Sequence, residues 1–115
     1  MNPTGSGLDT LRHLLDTAAL RHRVIAQNVA NVNTPGYRRL AVAFSDDLAK
    51  AMATPGGVPP KPRVVVEDGP ERVDGNTVDI DREMGSLAKN ALLYQAAAQI
   101  VTSRVASLRA AIAGR

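Results

Sequence analysis

The sequence contains no cysteine and no tryptophan, and its aromatic side chains are limited to Phe44, Tyr37 and Tyr94. The absence of cysteine excludes a disulfide framework, a thiolate zinc site and a cysteine nucleophile. With so few aromatic residues, burial must come from alanine, valine, leucine and isoleucine, which supply little area per residue. A chain of 115 residues of this composition forms one modest core, and we expect it to need partners.

Long apolar runs and a large excess of one charge are also missing. No stretch approaches the roughly 18 residues of a membrane span, and residues 1–7 have neither the cationic lead nor the apolar core of a signal peptide. We therefore expect neither membrane insertion nor Sec-type secretion. Fourteen basic and eleven acidic residues leave a formal charge of +3, which is too small to imply nucleic acid by itself.

Two long segments carry apolar residues at alternating steps of three and four, the heptad pattern of helices that pair. The first helix is predicted from an N-cap at Ser6 to the turn at residues 34–36, and the second from a cap at Asp79 to Gly114. The predicted seam consists of Leu8, Leu11, Leu15, Ile25 and Val29 in the first helix, and of Met84, Leu87, Tyr94, Val101, Val105, Leu108 and Ile112 in the second.

The middle of the chain, residues 40–78, is rich in proline and glycine and contains the run Arg63-Val64-Val65-Val66. This composition predicts a loop with one short strand or a small hairpin. A hairpin of two helices buries one stripe of each and leaves second stripes exposed, here Leu93, Ala97 and Ile100, which is typical of an assembly subunit. The alternative is a small monomeric bundle in which the middle segment covers those stripes.

The polar residues form no recognisable catalytic or metal site. His13 and His22 lie about half a turn apart around one helix and cannot share a ligand. The carboxylates between Asp74 and Glu83 miss the spacing of a calcium loop, and helix capping explains them better. Phosphate-binding and dinucleotide-binding glycine motifs are absent from the sequence. We therefore expect no enzyme activity, no cofactor or metal, and no small-molecule substrate.

The alternative function is a small basic helical module that binds nucleic acid. Its candidate contacts are Arg21, Arg23, Arg38 and Arg39. Arg21 and Arg23 point to different sides of a helix, and nearby acidic residues weaken the positive field. A solvated or subunit-pairing role is favoured for these arginines, so we expect no nucleic-acid partner. An affinity that falls steeply with salt would distinguish the alternative.

One segment is too specific to be only a turn signal: Gln27-Asn28-Val29-Ala30-Asn31-Val32-Asn33-Thr34-Pro35-Gly36-Tyr37-Arg38. It resembles the N-terminal signature of the flagellar rod and hook protein family, in which an Asn-x-x-Asn helix end runs into Thr-Pro-Gly-Tyr. Asn28 and Asn31 share one helix face and are placed to bond neighbouring backbone. Pro35 and Gly36 redirect the chain and Tyr37 anchors it. The expected signature residues are Asn28, Asn31, Thr34, Pro35, Gly36 and Tyr37. A second segment, 75–95, is similar to the proximal-rod members of the family.

The resemblance implies a mainly α fold in which two long terminal helices pair as an antiparallel coiled coil, joined by a Pro/Gly-rich loop with a short β element. Its expected parts are the N-terminal helix and signature turn (1–39), the variable loop (40–78) and the C-terminal helix (79–115), together one domain. It also implies a structural subunit of the proximal flagellar rod that self-assembles helically and is needed for motility.

The partners that the resemblance implies are other copies of the chain, other flagellar rod proteins, and the inner-membrane ring and rod-base adaptor of the basal body. The implied location is the periplasmic rod of the basal body. The chain is then expected to be exported unfolded by the flagellar type III export apparatus, without a cleaved signal peptide.

Overall fold

A computed structural model of the chain describes residues 3–44, 53 and 61–114, with side chains described from residue 9 onward. Four elements follow in chain order: α1 (Pro3–Ala30), β1 (Leu40–Ala43), β2 (Arg63–Val66) and α2 (Ile80–Ile112). The described part is mainly helical, with one two-stranded antiparallel sheet, so the predicted fold class is confirmed at this level. The side chain of the predicted seam residue Leu8 and the loop residues 54–60 lie outside the described part.

The ends of α2 follow the sequence signals. Asp79 Oδ1 accepts hydrogen bonds from the backbone N–H groups of Asp81 (3.0 Å) and Arg82 (3.4 Å), which confirms the predicted cap. Gly114, with φ of 74°, follows the C-cap of α2. The predicted start of α1 at Ser6 is wrong, because the helix already begins at Pro3. Proline is favoured in the first turn, where its missing N–H has no helical partner.

The two helices pack against each other in antiparallel directions. Asn28 Nδ2, near the end of α1, donates to Glu83 Oε2 near the start of α2 at 3.3 Å. Asn90 Nδ2, further along α2, donates to the carbonyl of Ala18 at 2.8 Å. The buried residues of α1 are Leu11, Thr17, Ala18, Val24, Ile25 and Asn28, and those of α2 are Glu83, Asn90 and Ala97.

The buried stripe of α2 does not coincide with the predicted seam. Glu83, Asn90 and Ala97 recur every seven residues. The seam residues stand one or four positions after them, about 100° or about 40° around the helix. In the predicted seam, Leu11 and Ile25 are buried and Leu15, Val29, Leu87 and Val101 are half-buried, whereas Met84, Tyr94, Val105, Leu108 and Ile112 are exposed. In this single chain, much of the α2 seam is therefore exposed.

The two strands form a short antiparallel ladder. Leu40 pairs with Val66 and Ala43 pairs with Arg63, and the N–H of Glu67 adds a hydrogen bond of 3.0 Å to the carbonyl of Arg39. The predicted valine strand is thus confirmed. Its partner strand β1 was not predicted, because its four residues are all apolar and show no alternation.

Two further features of the described residues bear on function. Neither helix is apolar over a length that would cross a membrane. Within the same residues, no three histidine, aspartate or glutamate side chains come together as ligands for a metal ion.

Candidate assembly site at the signature turn and helix junction

The signature turn lies between α1 and β1 and is held against the segment that precedes α2. Gly36 takes the left-handed φ of 74°, as the Pro-Gly turn predicts, and its N–H donates to the carbonyl of Asp74 at 2.8 Å. No heavy atom lies within 4 Å of the place that a Cβ on Gly36 would occupy. The backbone conformation, and not crowding, therefore requires glycine here.

Asn28 is the polar centre of this junction and is fully buried. Its Nδ2 donates to the carbonyl of Leu40 at 2.8 Å, besides the bond to Glu83. Its Oδ1 accepts from the N–H of Leu40 at 3.0 Å and from the hydroxyl of Tyr37 at 3.1 Å. The side chain thus uses two donor and two acceptor positions, and it joins α1 to β1, to α2 and to the turn.

A buried ion-pair network surrounds the Asn28 amide. Arg39 Nε donates to Glu83 Oε1, and Arg39 Nη1 donates to Glu67 Oε2 at 2.7 Å. Glu67 Oε1 also accepts from Arg82 Nη2 at 2.9 Å. The Glu83 side chain is fully buried and the Arg39 side chain is 10% exposed, whereas Glu67 and Arg82 lie nearer the surface. Charges this deep require such partners, because an unpaired buried charge is strongly destabilising.

Asn76, which lies in the segment before α2, closes the end of α1. Its buried Nδ2 donates to the carbonyls of Asn31 (2.9 Å), Val32 (3.1 Å) and Thr34 (2.8 Å). Its Oδ1 accepts from the N–H of Val78 at 2.7 Å. These carbonyls follow the last turn of α1, and those of Asn31 and Val32 also accept from the Thr34 N–H and from Arg72 Nη2. Asn76 therefore holds the signature turn against the segment that precedes α2.

Tyr37 lies half-buried beside this network. Its hydroxyl donates to Asn28 Oδ1, and its carbonyl accepts from the N–H of Thr77 at 3.1 Å. Burial, and then the negative charge of Glu83, raise the pKa of Tyr37 above its ordinary value of 10.0. The phenol is therefore held in its neutral, donating form.

The structure brings some of the six predicted signature residues together and not others. Asn28 and Tyr37 bond each other inside the junction. Asn31 and Thr34 form their own pair at the surface, with Thr34 Oγ1 donating to Asn31 Oδ1 at 3.1 Å. Pro35 and Gly36 are exposed at the turn.

Three important residues were missed by sequence reasoning. The sequence places Glu83 among the carboxylates near a helix cap and Arg39 among the candidate nucleic-acid contacts, and it assigns no role to Asn76. One signal was available for Glu83: it stands seven residues before Asn90 and fourteen before Ala97, a stripe that continues along one side of the helix.

The arginines do not support the nucleic-acid alternative. Arg39 is buried in its ion pairs with Glu83 and Glu67. Arg38 Nη2 lies 2.8 Å from Glu71 Oε1. Two of the four candidate contacts are therefore already paired within the chain.

Comparison with known proteins adds independent evidence. Residues 6–38 match the family model of the flagella basal body rod protein. The chain is 32% identical to the flagellar basal body rod protein FlgB of Salmonella typhimurium, over 87% of this chain and 88% of that protein. It is 28% identical to FlgB of Bacillus subtilis, over 93% of each, and 30% identical to FlgB of Escherichia coli, over 79% and 81%. The chain therefore belongs to the flagellar basal body rod protein family, in the group named FlgB.

Proposed function

We propose that the chain, as a structural subunit of the rod of the flagellar basal body, assembles through the exposed part of the α2 seam. We call this surface the seam face and define it by its residues: Met84, Tyr94, Val105, Leu108 and Ile112. The side chains of these residues are between 40% and 87% exposed in the single chain. Apolar side chains repeated along one side of a helix typically mark an interaction surface. This exposed face is the observation that carries the proposal.

The proposed partners are other copies of the chain and other rod proteins. The heptad spacing of the seam supports packing of the coiled-coil type, in which each apolar side chain enters a hole on a facing helix. Burying a leucine or isoleucine side chain contributes about 1.5–3 kcal/mol. When each copy contacts the next through two different patches, the copies form an open helical filament, unless the rotation between successive copies closes a ring. An open helical filament suits a rod.

The signature turn and the helix junction have a different role in this proposal. They fix the two helices relative to each other and to the short sheet, because Asn28, Arg39 and Asn76 each bond at least two segments of the chain. On the same basis we propose that the parts 1–39, 40–78 and 79–115 form one domain. The signature residues then act on assembly by positioning α2, and not by direct contact with a neighbour.

Family membership supports three finer proposals. The subunit would lie in the periplasmic rod, close to the inner-membrane ring and the rod-base adaptor, and the flagellar type III apparatus would export it. Assembly of the rod from such subunits would be required for motility. The matched proteins are named as flagellar basal body rod proteins, which supports these proposals over binding of nucleic acid.

Site-specific photo-crosslinking tests the role of the seam face. A benzophenone amino acid at Tyr94 or at Leu108 should crosslink the chain to flagellar components in purified basal bodies. The same variants should give no crosslink as dilute purified subunit. A benzophenone at the exposed Gln27 of α1 serves as the comparison position. Incorporation of both seam variants into basal bodies without a crosslink from either position would contradict the proposal.

A further inference from the structure

The face that α2 turns toward α1 is not its most apolar face. The buried stripe is Glu83, Asn90 and Ala97, whereas the seam lies about 40–100° further around the helix and carries large apolar side chains such as Tyr94 and Met84. Burial of apolar area alone would roll α2 about its axis until the seam lay against α1. The polar contacts of the stripe oppose that roll.

Asn90 makes the polar contact in the middle of the helix pair. It is 6% exposed, and its Nδ2 donates to the carbonyl of Ala18 at 2.8 Å. Ala18 has no side chain beyond Cβ, so the Asn90 amide can reach its backbone. Seven residues away in either direction along α1 stand Leu11 and Ile25, both buried, whose larger side chains would cover the carbonyl.

The other half of the Asn90 amide lowers the stability of the helix pair. Asn90 Oδ1 is buried and has no hydrogen-bond partner among the described residues. A buried acceptor without a partner is unfavourable, and an apolar side chain at this position would avoid that cost. Buried polar residues that weaken a helix pair in this way are known to select one arrangement over others.

We propose that Asn90 is a specificity-determining residue that sets the rotation of α2 about its axis, so that the seam face points outward. Glu83, one heptad earlier, holds the same rotation at the junction through Asn28 and Arg39. The seam face is the surface of the proposed function, but the rotation of α2 is a property of the isolated chain. The role proposed for Asn90 can therefore hold or fail whether or not the seam face makes the contacts of the rod.

The rotation of α2 can be measured from the reactivity of two introduced cysteines. The chain has no cysteine of its own, so each label is unique. Ala91→Cys places a thiol on the exposed side of α2 beside Asn90, and Ala97→Cys places one in the buried stripe. Alkylation of the folded chain by a small maleimide should be much faster at position 91 than at position 97.

Asn90→Ala removes the amide without adding bulk. The ratio of the two alkylation rates, 91 over 97, should then fall about fivefold, the size expected for losing one hydrogen bond. The helix content in circular dichroism should stay unchanged. Gln95→Ala, which removes an amide from an exposed position on α2, is the matched control and should leave the ratio unchanged.

Two outcomes would overturn the proposal. An unchanged rate ratio in Asn90→Ala would show that other contacts set the rotation of α2. A loss of helix content in Asn90→Ala, with both cysteines reacting fast, would show that Asn90 is needed for folding and does not select between packed arrangements.

Discussion

Asn28 and Glu83 stand 55 residues apart in the sequence and share a buried hydrogen bond of 3.3 Å. Both side chains are fully excluded from solvent. Through this contact the signature at the end of α1 meets the first turn of α2, and the guanidinium of Arg39, the residue before β1, completes the junction. Asn28, one of the signature residues, therefore bonds the end of α1 to the start of α2.

Replacing Asn28 should destabilise the fold strongly. Asn28→Ala leaves the N–H and the carbonyl of Leu40 and the Tyr37 hydroxyl without their shared partner, and each buried group left unpaired costs about 1–3 kcal/mol. The free energy of unfolding, measured by denaturant titration, should fall by at least about 2 kcal/mol. Asn31→Ala removes an exposed side-chain contact to Gln27 and should cost under about 1 kcal/mol. Equal losses in the two variants would contradict the central role of Asn28.

The buried pair of Arg39 and Glu83 should behave as a unit. Arg39→Met leaves the buried Glu83 carboxylate without a cation and should cost about 3–5 kcal/mol. Glu83→Gln leaves Arg39 with Glu67 as its remaining partner and should cost less. The double variant should cost clearly less than the sum of the two single variants, as a double-mutant cycle of denaturation free energies would show. Arg38→Ala breaks an exposed pair with Glu71 and should cost under about 1 kcal/mol. Additive effects at Arg39 and Glu83 would exclude the coupling.

Alanine substitutions of two glycines should change the free energy of unfolding in opposite directions. Gly36 has φ of 74°, so Gly36→Ala should lower the free energy of unfolding by about 1–2 kcal/mol, and Gly36→Asn by less. Gly85 lies within α2 and has room for a Cβ, so Gly85→Ala should raise it by about 0.5–1 kcal/mol. Thermal or denaturant melts measure both. Stabilisation by Gly36→Ala would disprove the left-handed turn.

Tyr37 should make stability depend on alkaline pH. Its pKa is raised above 10.0 in the folded chain, first by burial and then by the charge of Glu83. The folded state then binds the phenolic proton more tightly than the unfolded state, so this contribution is complete below the unfolded pKa and is lost as pH rises through the folded pKa. The unfolding free energy should fall more steeply above about pH 10 in the wild type than in Tyr37→Phe. Parallel pH profiles would refute this.

The helices could be predicted from the sequence because their signals are local. The heptad spacing, the Asp79 cap and the turn at Pro35 and Gly36 act within a few residues of each other. The valine strand was predictable for the same reason. Its partner β1 was not, because pairing between residues 20 to 26 positions apart depends on the whole fold.

The rotation of α2 could not be predicted from an apolar pattern. That pattern identifies the side of α2 that is most apolar, and the structure turns a stripe with Glu83 and Asn90 inward instead. The side of α2 that packs against α1 is set by the partners of Glu83 and Asn90, which lie far away in the sequence: Asn28, Arg39 and Ala18. The seven-residue spacing of Glu83, Asn90 and Ala97 shows that they share one side of α2, but it does not show that this side packs on α1.

Assembly through the seam face is tested most directly by Leu108→Asp. Leu108 is 43% exposed in the single chain, so the purified variant should unfold with almost wild-type free energy. Assembly would bury the new carboxylate without a partner, at a cost of several kcal/mol. Ser103→Asp adds the same charge at an exposed position of α2 outside the seam and serves as the matched control.

The decisive measurement is the amount of each variant in isolated basal bodies, relative to its amount in the cell. We expect Leu108→Asp to be almost absent from basal bodies, whereas Ser103→Asp should be incorporated close to the wild-type level. Incorporation of Leu108→Asp at the wild-type level would contradict assembly through the seam face.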